Sequence, residues 1–451
     1  MNQDHDYVLG ALLSGERVPL LAADRRRHLA VFGQTGTGKT AFILNLMKAD
    51  LQGGAGFCFL DPHGDAAQDI AAMTPGGRMT QTIYLDPSDE THTFSYNPLA
   101  NITAAERATA AANIVSAFKN IWADSWGPRL EFILSNALRL LLDTKDQTLL
   151  GIPLLFANEA YRNYLARRSR DPLVRFYWLN EFAAFDQRQR NEMISPIQNK
   201  IGILLANPFI RSILCQNTST LDIGNIMNEG KVLIVNLSKG NLGTEPAHLL
   251  GALLITAFSQ AAEGRRNIPE DARRDFTLYC DEFQNFATES FATILSEARK
   301  WRLALVAVSQ HVSQLPEPLQ QAVFGNVGTL IAFRVGAKDA PILAGELGLQ
   351  TRRALQETQN FYAWIRLMRN GSPEQARPMR TLDPPLPGNR LKKVIAFSRG
   401  RYMTRRATVD ARIAKLFAHL PETKLRKPRR RHPDEPQRLK MERGHQGRSP
   451  S

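Results

Sequence analysis

The sequence predicts an α/β protein: a mostly parallel, doubly wound central sheet with an all-α segment inserted in its chain. Three observations predict it. Short apolar runs alternate with segments of helical period over residues 1–100 and again over 230–400. The first alternation places Gly33-Gln-Thr-Gly-Thr-Gly-Lys-Thr40 between an apolar run, His28-Leu-Ala-Val-Phe32, and an apolar-periodic one, Ala41-Phe-Ile-Leu-Asn-Leu-Met47. From 101 to 229 the strand pattern stops and almost everything has helical period. The expected organisation is a discontinuous sheet domain (1–100 and 230–400), an inserted helical domain (101–229) and a carboxyl-terminal extension (401–451).

The strand, glycine-rich turn and helix form the setting a phosphate loop requires. Glycines at 33, 36 and 38 let successive backbone N–H groups converge on a polyphosphate at the positive end of the next helix. The stretch matches G-x-x-x-x-G-K-[ST] in full, so Gly33, Gln34, Thr35, Gly36, Thr37, Gly38, Lys39 and Thr40 are the expected nucleotide-binding residues. Lys39 would reach the β and γ phosphates of ATP, and the Thr40 hydroxyl would hold Mg²⁺.

The helix after the loop is expected to stop at Gly53-Gly54, and Gly56-Phe-Cys-Phe-Leu-Asp61 reads as a second buried strand ending in the turn Asp61-Pro-His-Gly64. Asp61 is either a support for metal or water or a turn aspartate before proline. Thr82 to Leu85 reads as a third strand, leading to Tyr96-Asn-Pro-Leu99. Thr103-Ala-Ala-Glu106 reads as a capping box opening a helix to about Trp122. Helical patterns follow over Trp126 to Thr144, Leu154 to Arg168, Asp171 to Phe185 and Arg188 to Asn207, with Pro196 expected to bend the last. Phe176-Tyr-Trp178 is expected in the core rather than as a base-stacking platform.

The sheet pattern resumes at Lys231 to Leu237, followed by a helix from Ala247 to Glu263 and a charged linker to Asp275. Phe276-Thr-Leu-Tyr-Cys-Asp-Glu282 is an apolar strand ending in two adjacent carboxylates. ATP hydrolysis needs one acid for the Mg²⁺ shell and another to orient and deprotonate water, which fits Asp281 and Glu282 in that order. Next come helix 287–300, strand Leu303 to Val308, strand Thr329 to Phe333 and a last apolar strand, Phe361 to Leu367. Gln310, just past a core strand, is placed to sense the γ-phosphate or the attacking water, since ligands gather at the carboxyl edge of an open sheet. Arg299, Arg302 and Arg334 are candidates for an arginine acting across a subunit interface. The proline-rich segment Pro378 to Pro387 is expected to end the packed region.

Composition bounds the rest. At 451 residues the chain exceeds one ordinary domain, and 43% hydrophobic with 22% charged residues is globular. The net charge of +14 points to a polyanionic partner such as nucleic acid or an acidic membrane surface. Lys424 to Arg448 holds ten Lys or Arg against Asp434, Glu435 and Glu442, so the tail carries half of that excess and is expected to be disordered. It reads as a DNA tether, an anionic-membrane anchor or a solubilising tail. Cys58, Cys215 and Cys280 have no disulfide or metal-site spacing, which fits a reducing cytoplasm. No run approaches 18 apolar residues and the amino terminus lacks a signal-peptide pattern, so the chain is expected to be soluble.

Taken together, Gly33 to Thr40, Leu60-Asp-Pro-His-Gly64, Asn97-Pro98-Leu99, Val235-Asn-Leu-Ser-Lys-Gly240, Asp281-Glu-Phe283, Glu297-Ala-Arg-Lys300 and Val308-Ser-Gln310 resemble the HerA/FtsK superfamily of ring ATPases. Within it they are most similar to TraG/TraD-type coupling proteins of type IV secretion and conjugation. The resemblance implies a RecA-like motor domain with an inserted all-α domain, a homo-hexamer with nucleotide at subunit interfaces, and ATP-driven movement of DNA. It implies that Lys39 and Thr40 bind phosphate and Mg²⁺, that Asp281 and Glu282 form the Walker B pair, that Gln310 is the sensor and Arg299 the arginine finger. Coupling proteins of this type usually begin with transmembrane helices, and this sequence reaches Gly33 without one. The expected location is therefore the cytoplasm, with peripheral contact at the inner face of the membrane, and the expected partners are DNA and relaxase or secretion components. Two other readings stand beside the translocase: a HerA-like role in repair or defence, and a nucleotide-gated adaptor that recruits relaxase or secretion proteins without motor activity.

Overall fold

The computed structural model describes residues 7–286, 288–369 and 371–418. Its strands are β1 (Tyr7–Leu12), β2 (Arg17–Leu20), β3 (Leu29–Phe32), β4 (Gly56–Asp61), β5 (Thr82–Leu85), β6 (His92–Phe94), β7 (Val232–Asn236), β8 (Phe276–Cys280), β9 (Leu303–Ser309), β10 (Thr329–Ala332), β11 (Tyr362–Arg366), β12 (Met368–Arg369), β13 (Ser372–Pro373), β14 (Arg377–Thr381) and β15 (Met403–Arg405). An 11-stranded sheet runs in the order β2-β1-β14-β11-β10-β3-β9-β8-β4-β7-β5. From β10 to β5 every neighbouring pair is parallel, and from β10 out to β2 every pair is antiparallel. The parallel block is the expected α/β core.

Alternation along the strands divides its two faces. Ala30, Phe32, Cys58, Leu60, Leu278, Cys280, Leu305 and Ala307 pack beneath the helical segment and the long helix Thr244–Gly264. Leu29, Val31, Phe57, Phe59, Tyr279, Val306 and Val308 pack against the helices Lys39–Gly53 and Asp65–Ala72. Both faces are covered, which is why the central strands read as unbroken apolar runs.

On that second face, a buried polar knot ties strands to helices. The Arg25 guanidinium makes two hydrogen bonds of 2.6 Å to the Asp50 carboxylate, which also accepts from the hydroxyls of Tyr7 at 2.7 Å and Tyr279 at 2.6 Å. Arg25 also lies 4.0 Å from the centre of the Tyr7 ring. Burial raises the Tyr7 and Tyr279 hydroxyls well above their usual range, so both stay protonated and donate.

Between β6 and β7 the chain is helical, and its apolar residues, among them Trp178, Phe182, Leu138 and Leu155, join the core that covers the first face of the sheet. Phe176 is half exposed, whereas Tyr177 and Trp178 are buried. The expected helix over 154–168 is two, Gly151–Ala157 and Glu159–Arg168, because Asn158 breaks the run and its side chain accepts the Tyr161 N–H as an N-cap. The pattern over 171–185 contains a π-helical stretch, Tyr177–Glu181. Thr103 and Glu106 do meet, but as a turn in which Thr103 donates to the Glu106 carboxylate, and the helix starts after it, at Arg107–Ile121. Pro196 lies inside Gln187–Ala206, which continues past it.

The proline-rich segment does not end the packed region. Its first part is β14, a strand between β11 and β1. The helix Leu391–Tyr402 then packs along β5, the outermost parallel strand, where the Ser398 hydroxyl accepts the Tyr84 N–H at 2.9 Å. β15 pairs with β6, and the helix Arg406–Ala418 follows. Periodicity missed this because the covering elements are basic and only Val394, Ser398, Arg406, Val409 and Ile413 are buried in them. The basic tail expected from about residue 421 lies outside the described residues.

Candidate active site

Gly33 to Thr40 leaves the carboxyl end of β3, which lies between β10 and β9 in the sheet. The loop is fixed to both neighbours: the Gly33 N–H donates to Ser309 O at 3.3 Å and the Gln34 N–H to Arg334 O at 2.8 Å. Gly38 precedes the helix Lys39–Gly53 with φ +114°, a conformation that disfavours a side chain. The Lys39 ammonium curls back over the loop, donating to Gly33 O at 2.5 Å and Gln34 O at 3.0 Å. Burial lowers its affinity for the proton, opposed by the nearby Glu282 and Asp281. The Thr40 side chain is exposed and, among the described residues, makes no side-chain hydrogen bond.

β8 is adjacent to β9, so its carboxyl end delivers Asp281 and Glu282 beside this loop. Both are buried, at 6% exposed each. Burial, then the neighbouring Glu282 and Asp61, push the Asp281 carboxyl up to about 7, against the pull of Lys39. A divalent cation would supply the positive charge that this carboxyl lacks, and a hard oxygen donor of this kind suits Mg²⁺. Glu282 has φ +47°, left-handed for a residue with a side chain.

Two amides hold the Glu282 carboxylate. Gln310 Nε2 donates to Oε1 and Gln284 Nε2 donates to Oε2, each at 2.5 Å. The Gln310 carbonyl oxygen in turn accepts the Thr35 hydroxyl at 2.8 Å. The expected sensor thus connects the phosphate loop to the acidic pair. Gln284 was not singled out from the sequence, where it is one more polar residue in a short 3₁₀ turn, Phe283–Phe286. That turn is seated by Phe286, whose ring would lie 2.4 Å from a Cβ at Gly251 in the helix behind it.

Asp61 ends β4 with both oxygens occupied, Oδ1 by the His63 N–H at 2.9 Å and Oδ2 by the Ala67 N–H at 2.8 Å. Of its two readings, these contacts favour the turn and helix-start role. The arginines are divided. Arg334 is at the carboxyl edge, where its carbonyl meets the loop. Arg302 precedes β9 with φ +60°, and its guanidinium is 3.7 Å from Asp275. Arg299, also before β9, is exposed and enters no ion pair among the described residues. It lines a cleft of about 620 Å³ with Arg26, Arg27, Glu297 and Lys300. Arg299 and Lys39 stand at opposite ends of strands that rise about 3.3 Å per residue, so one chain does not bring them together.

Among the described residues no helix is long and apolar enough to cross a membrane. The family described as the type IV secretion-system coupling protein DNA-binding domain matches residues 13–363. The type 4 coupling protein DotL of Legionella pneumophila is 21% identical over 361 residues, 66% of this chain and 45% of that protein. The chain thus spans less than half the length of that curated relative. Among solved structures, the bacterial conjugative coupling protein TrwBdeltaN70 in complex with sulphate superposes with a TM-score of 0.61 at 17% identity, covering 86% of this chain and 92% of that one. TrwB in complex with a non-hydrolysable ATP analogue gives 0.59 at 16%, covering 86% and 92%. VirB4 of Thermoanaerobacter pseudethanolicus gives 0.57 at 13%, covering 84% and 96%. These likenesses show a shared RecA-like fold.

Proposed function

The chain belongs to the family of the type IV secretion-system coupling protein DNA-binding domain, and on that premise we propose that it is an ATPase that moves DNA in conjugative transfer or type IV secretion. The observation that carries this reading is the relay Thr35, Gln310, Glu282, which joins a complete phosphate loop to a buried carboxylate at the adjacent strand end. An apparatus of that form has a use in hydrolysis that nucleotide binding alone does not give it.

ATP would lie along the loop, its β and γ phosphates drawing Lys39 from the two carbonyls it now contacts. Thr40 and Asp281 would hold Mg²⁺, which supplies neutralisation of phosphate charge. TrwB has been crystallised with an ATP analogue and with ADP and Mg²⁺, in support of the same pair here. Glu282 orients a water and takes its proton, while Gln310 reports on the phosphate loop. In a homo-hexamer, Arg299 of one copy would reach the nucleotide of the next and stabilise charge in the transition state. That role accounts for an arginine that is exposed and enters no ion pair among the described residues, at the edge of the sheet away from its own phosphate loop. Gripping of the DNA backbone by basic residues would be sequence-independent and salt-sensitive. Relaxase and secretion components are the partners this reading names, at the cytoplasmic face of the membrane.

The test is ATP hydrolysis with and without DNA, with Glu282→Gln as the control. Stimulation by DNA that the substitution abolishes supports the motor. Tight nucleotide binding with no hydrolysis would support the nucleotide-gated adaptor instead.

A further inference from the structure

Phe361 lies against the phosphate loop but has no part in the hydrolytic apparatus. It stands immediately before β11, and in the order β11-β10-β3-β9-β8 that strand is on the opposite side of the loop from Asp281, Glu282 and Gln310. β11 runs antiparallel to β10, so its amino end comes to the carboxyl edge where the loop leaves β3. The ring touches the loop itself, since a Cβ at Gly38 would lie 3.0 Å from Phe361 Cδ1. Even so, the residue is 38% exposed. Its backbone is strained: φ is +65°, left-handed and rare for a bulky side chain. Three hydrogen bonds impose that conformation. The Phe361 N–H donates to Thr37 O at 2.8 Å, and its carbonyl accepts the Thr381 N–H at 2.9 Å and the Thr381 hydroxyl at 3.0 Å. Glycine would make the same turn without strain. The position instead carries a large apolar ring, open to water, at a backbone cost of the kind that persists where a functional group must be held in place.

We propose that Phe361 is a nucleobase platform: the face of its ring stacks against the purine of the bound nucleotide. This rests on the nucleotide-binding reading above and adds the nucleoside subsite that reading leaves undefined. The direction follows from the loop. Glu282 and Gln310 draw the γ-phosphate to the β9 side of β3, so the α-phosphate and the nucleoside extend the other way, toward β10 and β11. The exposed ring stands on that side. Stacking takes apolar surface of both partners out of water and sets one π-face against another. Contact with a face reads no donor or acceptor on the edge of the base, so Phe361 holds adenine and guanine alike, and a purine overlaps the ring more fully than a pyrimidine does. The bond from the Phe361 N–H to Thr37 O ties the platform to the loop, so base and phosphates are positioned by one rigid unit.

The experiment titrates the full chain calorimetrically, in the presence of Mg²⁺, with a non-hydrolysable ATP analogue and with inorganic tripolyphosphate, which offers the phosphates without a base. Phe361→Gly removes the ring and suits the left-handed backbone; Phe361→Trp keeps an aromatic face. Phe361→Gly is expected to weaken binding of the ATP analogue roughly 5- to 150-fold, the range for one base–aromatic stack, with tripolyphosphate affinity unchanged and the thermal midpoint equal to the parent's or higher. Phe361→Trp is expected to bind the analogue about as tightly as the parent. Unchanged affinity for the analogue in Phe361→Gly overturns the proposal. So does an equal loss for both ligands or a lowered midpoint, either of which marks a ring that only shapes the loop, and so does a loss in Phe361→Trp as large as in Phe361→Gly. Lys39→Ala keeps the two levels apart, since it is expected to weaken both ligands. If it does so while Phe361→Gly binds the analogue as the parent does, only the nucleobase platform fails. If Lys39→Ala binds both ligands as tightly as the parent, the nucleotide-binding reading fails and this proposal with it.

Discussion

Gln310 donates to the Glu282 carboxylate at 2.5 Å, and its carbonyl oxygen accepts the Thr35 hydroxyl of the phosphate loop at 2.8 Å. A change at the phosphate loop therefore reaches the base through one side chain. Removing that side chain in Gln310→Ala is expected to lower kcat for ATP roughly 10- to 1000-fold while leaving ATP affinity nearly intact, because the loop's backbone groups remain. Hydrolysis rates beside equilibrium nucleotide binding check it, and a loss confined to affinity would contradict it.

Lys39 makes the converse prediction. Its ammonium is held by two carbonyls that a phosphate would replace, so Lys39→Ala removes a charge-assisted contact to nucleotide without removing the base. Affinity for ATP is expected to fall roughly 10- to 100-fold, in line with about 1.5–3 kcal/mol for hydrogen bonds to charged groups. Titration with a fluorescent ATP analogue reads this directly.

The acidic pair gives a pH prediction. The Asp281 carboxyl is raised from its usual 3.8 to about 7 in the folded chain, chiefly by burial. A carboxyl with a raised folded pKa costs nothing below its unfolded value, and its cost grows as pH climbs from about 4 to about 7. Without nucleotide or metal, the thermal midpoint of Asp281→Asn relative to the parent is therefore expected to rise across that window and level off above it. Melting curves at several pH values check the sign; a difference independent of pH would contradict it.

Two substitutions test the scaffold behind the site. Asp50→Ala would leave Arg25 buried without its partner, and is expected to cost about 3–5 kcal/mol in denaturant unfolding, as uncompensated buried charges do. Gly251→Ala would drive a methyl group into the Phe286 ring, at a cost of about 1–3 kcal/mol. It is also expected to lower kcat, because the displaced turn carries Gln284. Loss of stability with full activity would show that the turn moves independently of the site.

The parts legible in the sequence are those whose signal is local. A strand, glycines at fixed spacing and an amphipathic helix make the loop at Gly33 to Thr40 readable without knowing any neighbour, and the apolar runs of β4, β7, β8 and β9 announce a sheet buried on both faces. What stayed hidden depends on partners distant in sequence. β1, β2 and β14 are short antiparallel strands, and Pro378 of β14 pairs with Trp364 of β11, although proline normally argues against an inner strand. The helix Leu391–Tyr402 is basic on its outer side and lies beyond the proline-rich segment expected to end the packed region. Gln284 has no motif that marks it; only its approach to Glu282 does so. The opposite placement of Arg299 and Lys39 follows from which end of β9 each adjoins, and that becomes clear only once the strand order is known.

The most direct test of the central claim is steady-state ATP hydrolysis by the purified chain at several salt concentrations, with and without single- and double-stranded DNA, alongside Glu282→Gln. The account predicts stimulation by DNA that weakens steeply as salt rises and disappears in Glu282→Gln. Tight ATP binding with hydrolysis that neither form of DNA alters would contradict it.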